Sequence, residues 1–299
     1  MKEINIAIAS SKSYINYARV MMGSVYAAHP DHKINLFVFY LNDEVAPFQK
    51  VLKSQSSHHN KANSVSFIKV DSELLKKVDN GKGWAIDLWC RWYALDFLSK
   101  DYDRVLLLGL DTYTKDDISD FYFQDMTGYY FAGTPDMNIN NTDSSEWQNI
   151  KDDMDRVGFI DKKRYINGDV VLINLKETRS KLSFQEFLDL YSKNQFTCWD
   201  QDTINYCFNP YVKIQDSYKY NYFPNLNLAN IKDSEKMKDA TILHFAGGPK
   251  PWTIPPWDAK KFNGITEWWS VAKKVGYLNF KVYFHFARQE KRKLFKWIP

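Results

Sequence analysis

Residues 104–112 read "RVLLLGLDT". Four consecutive apolar residues, Val105 to Leu108, run into Gly109 and end on Asp111. A short run that is apolar on both faces of the pleat predicts a strand covered on both sides, as in a mainly parallel sheet sandwiched by helices. Ligands of such sheets sit outside the carboxyl ends of the strands, which is where Asp111 falls. Working outward, "INIAIAS" (4–10) predicts a first strand of the same kind, and "SYINYARVMMGSVYAA" (13–28) repeats apolar residues at helical spacing up to His29-Pro30. "INLFVFYL" (34–41) and "SVSFIKV" (64–70) predict two more strands, "VAPFQKVLKSQ" (45–55) a helix, and "WAIDLWCRWYALDFL" (84–98) one long helix. Strand and helix alternate, so the fold class is α/β, built of βαβ units with right-handed crossovers. Ser10 and Ser11 close the first strand and share a rim with Asp111. Further on, "YYFAGT" (129–134), "DVVLINL" (169–175) and "ATILHFAGG" (240–248) read as strands, "SFQEFLDLYSKN" (183–194) as a helix and "NNTDSSEW" (140–147) as a polar loop. No repeat or low-complexity linker interrupts the chain, which predicts one domain over 1–275 and a tail over 276–299.

The 299 residues are 44% hydrophobic and 25% charged, a globular balance that excludes a disordered chain. The net charge is +4, yet residues 281–299 alone carry six Lys/Arg and one Glu, a net +5 that leaves the rest at −1. A nucleic-acid binder would spread basic charge over its body, so no nucleic-acid partner is expected. Cys90, Cys198 and Cys207 form no CxxC pair, which favours a reducing, cytoplasmic compartment. The start "MKEINIAIAS" lacks the apolar region of a signal peptide, and no apolar run has the ~18 residues of a membrane-spanning helix. The tail interleaves aromatics with Lys and Arg. As a helix it would be basic and amphipathic, suited to peripheral association with an anionic membrane surface at the inner face.

Six stretches carry a family resemblance: "NIAIASSKSY" (5–14), "CRWYALDFL" (90–98), "RVLLLGLDT" (104–112), "YINGDVVLINLKETR" (165–179), "WDQDTINYCF" (199–208) and "LHFAGGPKPW" (243–252). In order and spacing they resemble family 8 of the retaining glycosyltransferases, the group of glycogenin and the bacterial lipopolysaccharide galactosyl- and glucosyltransferases. The likeness covers roughly residues 3–257. His-x-x-Gly-x-x-Lys-Pro-Trp is its most specific part. The resemblance implies a GT-A fold with a Rossmann-like mixed, mainly parallel sheet, a UDP-sugar donor, and a manganese or magnesium ion bridging the diphosphate. It implies Asp111 and His244 as metal ligands, Gly247 and Lys250 as diphosphate contacts, and Tyr14 as the residue stacking on the base. It implies Arg91, Asn167 and Asp200 as contacts of the donor sugar. Gln201 would be the catalytic residue, beside the anomeric carbon on the face opposite the leaving group. An amide is a poor nucleophile, so this residue type favours front-face attack over a covalent intermediate. The activity implied is transfer of a hexose to a glycan, lipid-linked or protein acceptor in glycan biosynthesis.

Three positions depart from the family pattern. The first metal aspartate falls on Gly109, and the expectation is that water fills the vacant ligand position, that the ion binds weakly, and that Gly109→Asp tightens it. The uracil-contacting aspartate falls on Ser11, whose hydroxyl can still pair with the base. A glycine of the family falls on Asp169, which is either structural or adds a carboxylate near the donor sugar. The departures leave a second function class open, a catalytically silent relative acting as a glycan-binding or partner subunit.

Overall fold

The computed structural model describes residues 1–41, 48–78, 86–141, 147–224 and 237–295, without the side chains of 140, 141 and 290–295. Residues 45–47 and 84–85 of two expected helices, most of the polar loop at 140–147 and the last four residues of the tail lie outside the described residues. Val105–Leu108 forms a strand, β4, with every residue buried. It sits at the centre of a seven-stranded sheet ordered β3-β2-β1-β4-β7-β6-β8. The others are β1 (Glu3–Ala9), β2 (Lys33–Tyr40), β3 (Ser64–Lys69), β6 (Phe131–Pro135), β7 (Ile166–Ile173) and β8 (Val212–Ile214). The pairings β3–β2, β2–β1, β1–β4 and β6–β8 are parallel, while β7 runs antiparallel to both β4 and β6. The sheet is therefore mixed and mainly parallel. Two short strands, β5 (Thr112–Thr114) and β9 (Ile242–His244), form a separate antiparallel ribbon.

Alternate residues of each central strand feed different cores, as a sheet buried on both faces requires. Ala7, Leu107 and Val171 point into one, with Trp92 and Phe187. Ile6, Leu106 and Leu172 point into the other, with Met22 and Val25 of the helix Ile15–Ala28. A third core forms around Trp268 and Trp269 of the helix Ile265–Lys274.

The segment expected as one long helix over 84–98 is different. Its described part is a 3₁₀ turn over Ile86–Tyr93 followed by one α-turn, Ala94–Phe97. Apolar spacing does not distinguish three residues per turn from 3.6 over so few turns. Two successive side chains of this turn, Arg91 and Trp92, both donate to Asp200.

The end of the chain forms a helix, Phe280–Phe295. Phe286 is buried against Trp257 and Trp269, while Phe280 and Phe284 stack on each other and stay exposed. Among the described residues no helix is long and apolar enough to cross a membrane.

Candidate active site

The β5–β9 ribbon brings two distant parts of the chain to the end of β4. Thr112 pairs with His244, and the Phe245 N–H donates to the Asp111 carbonyl at 2.9 Å. Asp111 and His244 are thereby neighbours at the carboxyl rim of the sheet. The Ser10 N–H donates to the Phe39 carbonyl, which ties the end of β1 to the same rim.

Two adjoining clefts open there. One, of about 570 Å³, is lined by Ser11, Tyr14 and Trp252 among others. The second, of about 480 Å³, is lined by Asn167, Asp200, Gln201, His244 and Gly247 among others. Arg91, Asp111, Asp169 and Lys250 line both. Every residue singled out in the sequence thus meets one of two connected spaces. In the first, Trp252 stacks on Tyr17 at 3.9 Å and meets Tyr14 edge-on, so the half-exposed Tyr14 ring stands in an aromatic wall. The Ser11 hydroxyl is hydrogen-bonded to that of Ser13.

At the junction of the clefts, ligand atoms of Asp111, Asp169 and His244 all lie within 4.8 Å of one another. His244 is 1% exposed. Its Nε2 has no hydrogen-bond partner, although it lies 3.3 Å from Asp111 Oδ1 and 3.6 Å from Asp169 Oδ2. A chain of hydrogen bonds sets its tautomer. The Asp169 backbone N–H donates to Asn167 Oδ1, and Asn221 Nδ2 donates to the same oxygen. That leaves Asn221 Oδ1 to accept from His244 Nδ1 at 3.0 Å. With the proton on Nδ1, Nε2 carries a lone pair, the form in which imidazole ligates a metal. Two carboxylates and a bare ring nitrogen converging in a buried space fit a divalent cation, because without a positive charge between them they repel. Burial works against ionisation of Asp111, but the Lys250 ammonium beside it favours the carboxylate and holds the carboxyl below the usual range. Lys250 Nζ donates to Asp111 Oδ2 and to the Phe245 carbonyl. Gly247 has a φ of +71° with open space where a Cβ would stand, a conformation that lets backbone approach a ligand closely.

The expectation of water in the vacant place beside Gly109 is not met. A Cβ built on Gly109 would lie 2.9 Å from both Cβ and Cγ of Asp169. The place is taken by that side chain, so Gly109→Asp alone would crowd the site instead of completing it.

On the sugar side, Arg91 is buried between two carboxylates, with Nη1 on Asp169 at 2.6 Å and Nη2 on Asp200 at 2.8 Å. Asp200 also accepts from Trp92 Nε1. Gln201, in the first turn of the helix Trp199–Phe208, accepts from the Gly168 N–H at 2.7 Å through Oε1. Its Nε2 donates to Asp136 Oδ2 and Tyr165 OH. Asn167 Nδ2 donates to Asp136 and Gln201. Asp136, Tyr165, Trp92 and Asn221 escaped the sequence reading. Trp92 and Tyr165 lie inside the quoted stretches without a role in the pattern, Asp136 and Asn221 lie outside them, and only contact reveals all four.

The model of the family described as glycosyl transferase family 8 matches residues 5–254. The chain belongs to this family. Relatives by sequence include the lipopolysaccharide 1,3-galactosyltransferase of Salmonella typhimurium strain LT2, 24% identical over 84% of this chain and 73% of the relative. The lipopolysaccharide 1,2-glucosyltransferase of Escherichia coli is 26% identical over 61% of this chain and 54% of the relative. By fold the chain is similar to the galactosyltransferase LgtC, crystallised with donor and acceptor sugar analogs. The TM-score is 0.69 at 22% identity, covering 91% of this chain and 96% of that one. A glycosyltransferase with the GT-A fold is therefore the class of this protein, and the Asp-Asp-His group stands where a divalent cation fits.

Proposed function

We propose that this glycosyltransferase moves a hexose from a UDP-sugar to a glycan, lipid-linked or protein acceptor with retention of anomeric configuration. The observation that carries the reading is the single line of groups across the two clefts, from the Tyr14 and Trp252 wall through Asp111, His244 and Lys250 to Arg91, Asp200 and Gln201. Tyr14 stacks on the uracil and the Ser11 hydroxyl pairs with its edge. Asp111 and His244 hold a manganese or magnesium ion. When bound, that ion neutralises charge on the departing diphosphate. Lys250 leaves Asp111 for a phosphate oxygen, and the backbone at Gly247 approaches the same group. Asn167, Asp200 and Arg91 orient the sugar. Gln201 stabilises positive charge at the anomeric carbon. Its Oε1 already accepts from the Gly168 N–H, which lowers its nucleophilicity further and supports front-face attack. The acceptor hydroxyl then passes its proton to the departing phosphate oxygen, so no separate general base is assigned.

The exposed Phe280–Phe284 pair, with Lys281 and Arg288 nearby on the same helix, supports peripheral binding to an anionic membrane surface on the cytoplasmic side. UDP titration of the full chain, with manganese and with chelator, tests the catalytic reading. The expected result is manganese-dependent tightening that His244→Ala removes, with slow release of free hexose from the accepted donor. No UDP binding under either condition would instead favour a silent glycan-binding or partner subunit.

A further inference from the structure

We propose that Asp169 is the second carboxylate of the cation site, supplied from β7 in place of one from β4. The proposal rests on the cation reading above and adds a ligand to it. In the β4–β7 ladder Leu108 pairs with Val170, and one step outward the Gly109 N–H donates to the Asp169 carbonyl at 2.8 Å. Directly opposed residues of an antiparallel pair project from the same face of the sheet, roughly 5 Å apart at Cβ. A carboxylate at 169 therefore enters the same volume as one at 109, from the facing wall. The two exclude each other, since a Cβ at 109 would meet Asp169 Cβ and Cγ and Asp111 Oδ1, all at 2.9 Å. Glycine at 109 is what makes room for Asp169.

The remaining geometry points inward. Asp169 Oδ2 faces the unpartnered, buried Nε2 of His244 at 3.6 Å, across from Asp111 Oδ1 at 3.3 Å. Two carboxylate oxygens and one imidazole nitrogen leave room in a six-coordinate shell for phosphate oxygens and water, a donor set that suits manganese. The side chain is held in place. Oδ1 accepts from Arg91 Nη1, and the backbone N–H is anchored on Asn167 Oδ1. Because Arg91 also grips Asp200, the cation side and the sugar side share one charged link, Asp169–Arg91–Asp200. The site carries a full set of ligands in a different arrangement.

Manganese titration of the full chain in the presence of UDP, with free ion read by electron paramagnetic resonance, tests this without recourse to turnover. Asp169→Asn is expected to weaken manganese binding about tenfold or more, and Asp111→Asn is expected to do the same. Gly109→Asp alone is expected not to tighten it. Gly109→Asp combined with Asp169→Gly, which moves the carboxylate back across the ladder, is expected to bind manganese within a few-fold of wild type. Asp169→Asn binding manganese as tightly as wild type, while Asp111→Asn and His244→Ala lose it, would overturn the role of Asp169 and leave the cation reading standing. No manganese-dependent binding in wild type would overturn both. Circular dichroism checks folding. Should Asp169→Asn unfold, the exchanged double variant decides, and failure of that folded variant to bind manganese overturns the proposal.

Discussion

His244 presents its Nε2 to the cation site because a backbone amide two hydrogen bonds away leaves Asn221 only one orientation. The Asp169 N–H needs an acceptor, so Asn167 Oδ1 faces it, and the rest of the chain follows. Asn221 is fully buried behind the His244 ring. Asn221→Leu is expected to weaken manganese binding roughly tenfold to a hundredfold with UDP affinity in chelator unchanged, read by the same titration. A second residue, Asp202, sits beneath Gln201 and takes hydrogen bonds from the Tyr165 hydroxyl and the Cys198 N–H, both at 2.5 Å. Burial outweighs them and pushes its carboxyl up to about 6. An acid whose folded pKa lies above the unfolded value, about 3.9, binds more protons when folded. Its contribution to stability is largest below about pH 4 and is lost as pH rises to about 6. The difference in melting temperature between Asp202→Asn and wild type should therefore move in favour of the variant across that window and stay flat above it. The linked free energy is on the order of 3 kcal/mol. A difference that does not change with pH would show that Asp202 is ionised throughout.

Local sequence chemistry decides some elements completely. Ser183 caps the helix Phe184–Asn194, accepting from the Glu186 N–H while Glu186 accepts from the Ser183 N–H, a reciprocal box readable from Ser-x-x-Glu. Ser183→Ala should cost about 1 kcal/mol, seen as a lower denaturation midpoint with UDP binding unchanged. Tertiary partners decide others, such as the 3₁₀ turn carrying Arg91 and Trp92. The final helix has two faces with different duties. Phe286 closes the third core over Trp257 and Trp269, whereas Phe280 and Phe284 stack on each other and stay exposed. Deleting 276–299 would lower both thermal stability and binding to anionic vesicles. The double variant Phe280→Ala with Phe284→Ala separates the two. It should lose vesicle binding severalfold, in a salt-dependent background, at unchanged melting temperature. Vesicle binding equal to wild type would remove the helix as an anchor.

Across the whole molecule, the rim cleft exists because β1 has β2 on one side and β4 on the other, each parallel to it. Chain connections leave β1 and β4 on opposite sides of such a switch point, and a crevice opens at their carboxyl ends. Ser10 and Ser11 follow one strand and Asp111 the other. The rim is held in place by the two cores on either side of the sheet. Leu107 is fully buried at the centre of one of them. Leu107→Ala should cost about 2–5 kcal/mol in urea unfolding, and the loss of manganese affinity at the rim should be no larger than that instability explains.

All the described strands but the short β5 and β8, their mainly parallel character and the residues that meet at the rim were legible in the chain. Apolar runs of four to eight residues and the carboxylate ending one of them are local features, and burial follows from them directly. Gly109 and Asp169 were also visible as two departures from a family pattern. What linear order concealed is that they are one change. Sixty residues separate them, and only the antiparallel pairing of β4 with β7 sets them face to face, where a single carboxylate fits from either wall. The same holds for Asn221, Asp136 and Tyr165, polar residues to which no pattern assigned a role and which matter because a buried donor or acceptor must find a partner wherever the fold brings one within reach.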